Sequence, residues 1–152
     1  MYHSYMNDLP KIDYQLGLLV SLLIGSGEAT QCRLSDCLQP AELSPIKFWT
    51  LAHLVAAETP LPLSELADRL HKARSNATQL IDRLEADGLV KRIHDPRDRR
   101  IVRAALTDEG RRRFEEGADL LEAPAGELTE MFTPTEREQL TSLLSRLAER
   151  WR

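Results

Sequence analysis

The sequence has no long hydrophobic run and only two cysteines. Its longest apolar segment, residues 16–24, ends at Gly25 and is far shorter than the roughly 20 residues that a membrane-spanning helix needs. The first residues show neither the basic segment nor the cleavage site of a secretory signal. Cys32 and Cys37 are five positions apart and do not suggest a disulfide framework. We therefore expect a chain that stays in the reducing cytoplasm.

The sequence also lacks the common catalytic motifs. It has no glycine-rich phosphate loop, no HExxH or GxSxG motif, and no closely paired cysteine and histidine. A metal site built from Glu28, Cys32, Glu42 and His53 would match no usual ligand spacing. These absences disfavour an enzyme and predict no cofactor.

Aromatic residues make up only 5% of the chain and β-branched runs are rare, whereas leucine and alanine are plentiful. This composition favours helices. Apolar residues recur at helical spacing in six segments, and prolines and Gly88 mark several of their ends. The pattern predicts helices over residues 10–38, 45–58, 64–71 and 74–86, a fifth from 107 and a sixth from 134. The sixth helix carries one apolar face of Leu140, Leu143, Leu144, Leu147 and Trp151.

Between the fourth and fifth helices the hydrophobic pattern changes to that of strands. Residues 89–93 and 100–106 read as two strands, and residues 94–98 as the turn that joins them. Two short helices followed by a hairpin form a winged helix-turn-helix. The predicted fold is therefore mainly α with a small β-hairpin wing. We expect a winged helix-turn-helix domain over residues 40–106 and a helical dimerisation region from residues 1–38 and 107–152.

The second short helix and the wing carry the residues expected to contact DNA. With Ala77, Ile81 and Leu84 facing inward, the polar side chains of this recognition helix face outward. The predicted DNA-binding residues are Arg74, Ser75, Asn76, Thr78, Gln79 and Arg83 on the helix and Lys91, Arg97, Arg99 and Arg100 on the wing. Two alternatives stay open: Asn76 and Gln79 cap the helix, or the wing arginines pair with Asp95 and Asp98.

The net charge of −4 disfavours a nucleic-acid partner when it is taken over the whole chain. Its distribution does not. Residues 63–103 carry a net charge of +3 and the remaining residues −7, and the wing, residues 89–103, reaches +4. The basic charge is thus concentrated where the predicted fold would meet DNA.

The segment LSELADRLHKARSNATQLIDRLEADGLVKRIHDPRDRRIVRAALTDEGR resembles the MarR family of bacterial transcriptional regulators. LIDRLEADGLVKR, the wing DPRDRR and LTDEGR are its most specific parts, and LSPIKFWTL looks like the second helix of the family. The resemblance implies an obligate homodimer, usually a repressor, whose two winged domains bind the half-sites of a palindromic DNA operator. One departure stands before the recognition helix, where His71-Lys72-Ala73 replaces the usual Gly-Val-Ser, so that a helix start at Ser75 or Asn76 is an alternative to the start at Arg74.

The resemblance also implies a small-molecule effector, since many relatives bind aromatic or phenolic anions in a crevice between the dimerisation and winged regions. Trp49 and His53, four residues apart on the second helix, are candidates for lining that crevice; the alternative is a Trp–His pair with no ligand. Redox sensing through Cys32 or Cys37 and metal sensing are further alternatives. A wing that binds protein rather than DNA is disfavoured by its three arginines.

Overall fold

The computed structural model describes residues 14–150. The chain divides into two units, residues 1–33 and residues 34–152. In the first unit, the described residues form most of helix α1, Tyr14–Leu38. This confirms the predicted first helix from residue 14 onward; its expected start at residues 10–13 lies outside the described residues. Large apolar side chains stay exposed along this part of α1: Leu16, Leu18, Leu19, Val20, Leu22 and Ile24.

The second unit contains the remaining elements. A short 3-10 helix, Gln39–Ala41, follows α1. The elements after it are α2 (Pro45–Ala57), β1 (Leu61–Pro62), α3 (Leu63–Arg69), α4 (Arg74–Ala86), β2 (Val90–His94), β3 (Val102–Leu106), α5 (Asp108–Met131) and α6 (Pro134–Arg150). The mainly helical fold with a β wing is thus confirmed. Every helix within residues 14–150 is too short or too polar to cross a lipid bilayer.

Capping residues fix several helix starts. Pro45 occupies the first turn of α2 directly after Ser44, which has the extended backbone of an N-cap. The Thr107 hydroxyl accepts the Gly110 N–H at 2.9 Å and so caps α5. Before α6, the Glu136 carboxylate accepts the Thr133 N–H at 2.8 Å, as in a capping box. The predicted starts of these three helices are therefore confirmed.

Helix α4 spans Arg74–Ala86, as the spacing predicted. Its N-cap, Ala73, offers no side chain for capping. The alternative start at Ser75 or Asn76 is wrong because the Ala73 carbonyl accepts the Ala77 N–H at 3.1 Å and closes the first helical turn without a capping side chain. The alternative in which Asn76 caps the helix is not seen. At the other end, Gly88 adopts a left-handed backbone with φ +73° and stops the helix as predicted.

The sheet has three antiparallel strands in the order β1–β3–β2. The predicted hairpin is present as β2 and β3, one or two residues away from the expected bounds, with His94 paired to Val102. Strand β1, whose Leu61 pairs with Ala104, was not predicted. Two residues ending in proline are too short to show the alternation that identifies a strand.

The core of the second unit lies between α2, α3, α4, the sheet and the first half of α5. Its largest fully buried side chains are Leu38, Leu51, Leu66, Ile81, Leu84 and Thr50. Two glycines let α5 approach closely: a Cβ at Gly110 would overlap the Leu89 carbonyl oxygen, and one at Gly117 would lie 2.9 Å from Cδ2 of Phe48. Helix α5 therefore packs on both the base of the wing and α2.

Helix α6 differs from the rest of the second unit because none of its residues is buried. Leu140, Leu143 and Leu144 are all exposed, as are Leu128 and Met131 near the end of α5. Trp151, which the sequence placed on the same face, lies outside the described residues. An amphipathic helix with a bare apolar face is typical of an interface.

Candidate nucleic-acid interface

Helix α4 presents a polar face to solvent. Ala77, Leu80, Ile81 and Leu84 are buried, as the spacing predicted. The six candidate residues of the helix are all exposed: Arg74, Ser75, Asn76, Thr78, Gln79 and Arg83. The Thr78 hydroxyl donates to the Arg74 carbonyl at 3.0 Å and keeps its lone pairs for a second partner. The face offers the amide, hydroxyl and guanidinium groups that read base edges.

The wing is shaped by Asp95, a carboxylate that is only 7% exposed. It accepts the backbone N–H of Arg97 at 2.8 Å and that of Asp98 at 3.1 Å. It also forms an ion pair with Arg103 at 2.5 Å, and Arg103 in turn donates to the Pro60 carbonyl at 3.0 Å. The N–H of Arg97 and the Arg103 guanidinium together lower the pKa of Asp95. These contacts fix the turn and join it to the segment before β1.

The tip of the wing leaves cations without partners. Within residues 14–150, the side chains of Arg97 and Arg99 form no ion pair or hydrogen bond, and both residues are exposed. Arg100, whose side chain is 93% exposed, lies 3.3 Å from the Asp98 carboxylate. His94 Nδ1 is 2.9 Å from the Arg99 carbonyl oxygen, which fixes the backbone beneath the tip. The alternative of paired wing arginines thus holds for Arg100 and not for Arg97 or Arg99.

Arg92 connects the wing to the recognition helix, a role that the sequence analysis missed. Its guanidinium forms ion pairs with Asp82 at 2.5 Å and with Glu85, and it donates to the Thr78 carbonyl at 3.3 Å. Its backbone N–H donates to Glu85 at 3.0 Å, and these bonds lower the pKa of Glu85. This role does not follow from the sequence, because partners seven and ten residues away follow no local spacing rule.

The unpaired cations of α4 and the wing form a basic surface. Its members are exposed and form no ion pair with another described residue: Arg74, Arg83, Lys91, Arg97 and Arg99. Two acidic groups of α4, Asp82 and Glu85, are held by Arg92. We call these five cations the basic surface below. Such a surface attracts a polyanion over a long range.

A groove of about 410 Å³ lies between α2 and α5. It is lined by Phe48, Trp49, Ala52, Phe114, Ala118, Asp119, Leu121, Glu122 and Ala125. Of the two candidate effector residues, Trp49 lines it and His53 does not. Four residues turn a helix by about 400°, so His53 is rotated some 40° past Trp49. Burial, with the positive charges of Arg69 and His71, lowers the pKa of His53.

Cys32 is exposed and Cys37 is half-buried, and both are free thiols. Among residues 14–150 no three His, Cys, Asp or Glu side chains are placed to hold a metal ion.

Comparison with known proteins places these features in one family. The sequence model of the MarR family matches residues 41–101. The HTH-type transcriptional repressor MdtR of Bacillus subtilis (strain 168) is 30% identical over 119 residues, which are 78% of this chain and 76% of that protein.

Solved structures agree with this assignment. A mutant MarR from E. coli complexed with operator DNA is 27% identical, with a TM-score of 0.73, over 88% of this chain and 94% of that one. A MepR-like protein complexed with pseudoligands is 29% identical, with a TM-score of 0.77, over 89% of this chain and 94% of that one. The expected family and the expectation that the chain is not an enzyme are confirmed. The chain belongs to the MarR family of DNA-binding transcriptional regulators.

Proposed function

We propose that this chain is a homodimeric repressor that binds a palindromic DNA operator and is released from it by a small-molecule effector. The observation that carries the proposal is the basic surface, whose cations remain unpaired while the neighbouring acids are neutralised. We place its site of action in the cytoplasm, where it would bind its operator. The similar protein MdtR is named a repressor, which supports the direction of regulation.

Each winged unit would read one half-site. Helix α4 enters the major groove, where the amides of Asn76 and Gln79 suit adenine edges and Arg83 suits guanine. Arg74, Ser75 and Thr78 lie on the same exposed face, within reach of bases or phosphates. The wing reaches the adjacent minor groove, where the negative potential favours inserted arginines. Lys91, Arg97, Arg99 and Arg100 serve this contact.

Exposed apolar residues support the homodimer. The described part of α1 in the first unit carries six large exposed apolar side chains, and α6 in the second unit has no buried residue. A monomeric soluble protein rarely leaves such faces bare. We assign dimerisation to residues 1–38 and 107–152 and the winged helix-turn-helix to residues 40–106. Helix α5 also belongs to the core of the winged unit through Leu121, so it can transmit movement between the two functions.

The groove between α2 and α5 supports an effector site. Trp49 is 48% exposed there and lies edge-on to Phe48, with ring centroids 5.1 Å apart. The volume of the groove, about 410 Å³, suits a small aromatic ligand. Because α5 contacts both this groove and the base of the wing, a ligand that binds one arrangement of α5 more tightly would shift the DNA affinity.

DNA binding can be measured by fluorescence anisotropy on duplex DNA from upstream of the chain's own gene, across a series of salt concentrations. We expect Arg97→Ala and Arg99→Ala, alone and together, to weaken binding to all sequences. The slope of log K against log salt should become shallower by about 0.9 for each phosphate that the protein no longer neutralises. Gln79→Ala should instead change which base is preferred, since it removes a group that reads base edges.

Arg111→Ala is the matched control for either single variant. Arg111 is an exposed cation on α5 that forms no ion pair with another described residue. It should leave the affinity and the slope nearly unchanged. Equal slopes for Arg97→Ala and the parent protein would remove the wing from the proposed interface, and absence of binding at low salt would overturn the proposed operator binding as a whole.

A further inference from the structure

The groove between α2 and α5 combines aromatic rings with carboxylates. Phe48 and Phe114 stack at a centroid distance of 5.2 Å, and Trp49 meets Phe48 at an interplanar angle of 76°. Asp119 and Glu122 stand three residues apart on α5, and so on the same face of that helix, and both line the groove. Three rings and two negative charges therefore share one open site.

The two carboxylates of the groove have no cation beside them, unlike Glu109 and Glu116 earlier on α5. Glu109 is held by Arg112 and Arg113, and Glu116 is held by Arg112. Asp119 and Glu122 are exposed and form no ion pair with any residue among 14–150. The described lining contains no lysine, arginine or histidine. The described lining of the groove is therefore acidic.

We propose that the effector of this chain is a small organic cation with a hydrophobic or aromatic body, rather than the phenolic anion that the family resemblance implies. A cation gains from the exposed face of Trp49 and from the two carboxylates, whereas an anion meets two like charges and no described cation. The volume of about 410 Å³ suits a ligand of drug size. This inference rests on the proposed function for its regulatory meaning, and on the groove alone for its binding preference.

Tetraphenylphosphonium and tetraphenylborate test the charge directly, because they have nearly the same shape and opposite charge. The chain has two tryptophans, so Trp151→Phe leaves Trp49 as the only indole reporter. Titration of this variant should show tetraphenylphosphonium quenching Trp49 fluorescence with an affinity about tenfold or more above that of tetraphenylborate. The preference should weaken as salt is added.

Removing the two charges should remove the preference. In the same background, Asp119→Asn with Glu122→Gln should reduce tetraphenylphosphonium affinity by about tenfold and should not weaken tetraphenylborate binding. Glu115→Gln with Glu130→Gln is the matched control. Both residues are exposed acids of α5 that do not line the groove, so the same change in net charge there should leave the selectivity intact.

Several results would overturn the inference. They are equal or tighter binding of the borate, no binding of either ion because another copy of the chain fills the groove, and unchanged selectivity after the two charges are removed. DNA release is measured in parallel by anisotropy. If the cation binds selectively but leaves DNA bound, the cation preference stands and the effector part of the proposed function fails. If the borate alone binds and releases DNA, the regulation stands and the cation inference fails.

Discussion

The basic surface and the groove between α2 and α5 are two exposed sites on one unit, and each keeps charges of one sign unpaired. On the basic surface five cations are free among the described residues, while Arg92 occupies the acids Asp82 and Glu85. In the groove two carboxylates form no ion pair with a described residue, while Arg112 and Arg113 pair with Glu109 and Glu116 earlier on the same helix. The charge left unpaired is therefore positive on the basic surface and negative in the groove.

This difference explains why the net charge of −4 says little about partners. An ion pair between exposed side chains adds little stability, about 0–1 kcal/mol. Its larger effect here is on the field, because it removes a charge that would otherwise repel a ligand. The two sites are joined mechanically by α5, which touches the wing base at Gly110 and Phe48 at Gly117.

The largest effect is expected from Arg92→Ala. This variant leaves two acids unpaired beside the cations of the basic surface, so that the surface no longer carries charge of one sign. Asp82 and Glu85 would then face the DNA phosphates, and the wing would lose its bonds to α4. Like charges that face each other across an interface repel by up to several kcal/mol, and a cost of about 2 kcal/mol corresponds to a roughly 30-fold rise in Kd for DNA, which is the change we expect. Fluorescence anisotropy at constant salt measures it.

Two further variants separate charge from folding. Arg112→Ala removes an arginine that also bridges two carboxylates, on α5, and should leave DNA affinity within about twofold because exposed pairs contribute little. Adding Asp82→Asn and Glu85→Gln to Arg92→Ala should restore much of the affinity. An unchanged Kd in Arg92→Ala would show that Arg92 does not shield the surface.

Much of the fold could be predicted from the sequence because its signals are local. The spacing of Ala77, Leu80, Ile81 and Leu84 identifies the buried face of α4, and Gly88 identifies its end. The start of α4 at Arg74 was predicted, and the alternative start at Ser75 or Asn76 is wrong because the backbone closes the first turn without a capping side chain. The strand β1 was missed because a strand of two residues is defined only by its partner, β3.

The candidate site was less predictable because its chemistry depends on contacts between distant positions. Arg103 meets Asp95 across the hairpin and the Pro60 carbonyl 43 residues away. Arg92 meets Asp82 only because the chain turns at Gly88. The ten exposed DNA-binding candidates follow from helical periodicity and hairpin position, whereas which of them remain unpaired follows only from the folded structure.

A smaller effect is expected at His71, in the turn beside the basic surface. His71 adopts a left-handed backbone with φ +50°, at the position where the family usually has glycine. This conformation costs a residue with a Cβ roughly 1 kcal/mol. His71→Gly should therefore raise the free energy of unfolding by about that amount, or Tm by several degrees, in thermal melts.

His71→Ala is the control that separates backbone strain from the side chain. It removes the imidazole but keeps the Cβ, so it should gain none of the stability. Both variants should change DNA affinity equally, since both remove the same imidazole from the neighbourhood of the phosphates. If alanine stabilises as much as glycine, the imidazole rather than the backbone is the unfavourable feature.

The smallest effect concerns His53, whose pKa reports whether its surroundings are dominated by positive or by negative charge. His53 and Trp49 share α2, but burial and the positive charges of Arg69 and His71 lower the pKa of His53 below its ordinary value of 6.5. The unfolded chain then binds the proton more tightly than the folded one, so the free energy of unfolding should fall as the pH drops through 6.5 and level off below the folded pKa.

NMR titration of the His53 ring should give the lowered pKa, and Arg69→Ala should raise that pKa. His53→Asn should remove the contribution of this one histidine to the pH dependence of the free energy of unfolding between pH 7 and 5. A pKa above 6.5 would contradict this prediction. It would mean that the carboxylates of the groove, rather than Arg69 and His71, dominate the electrostatic environment of His53.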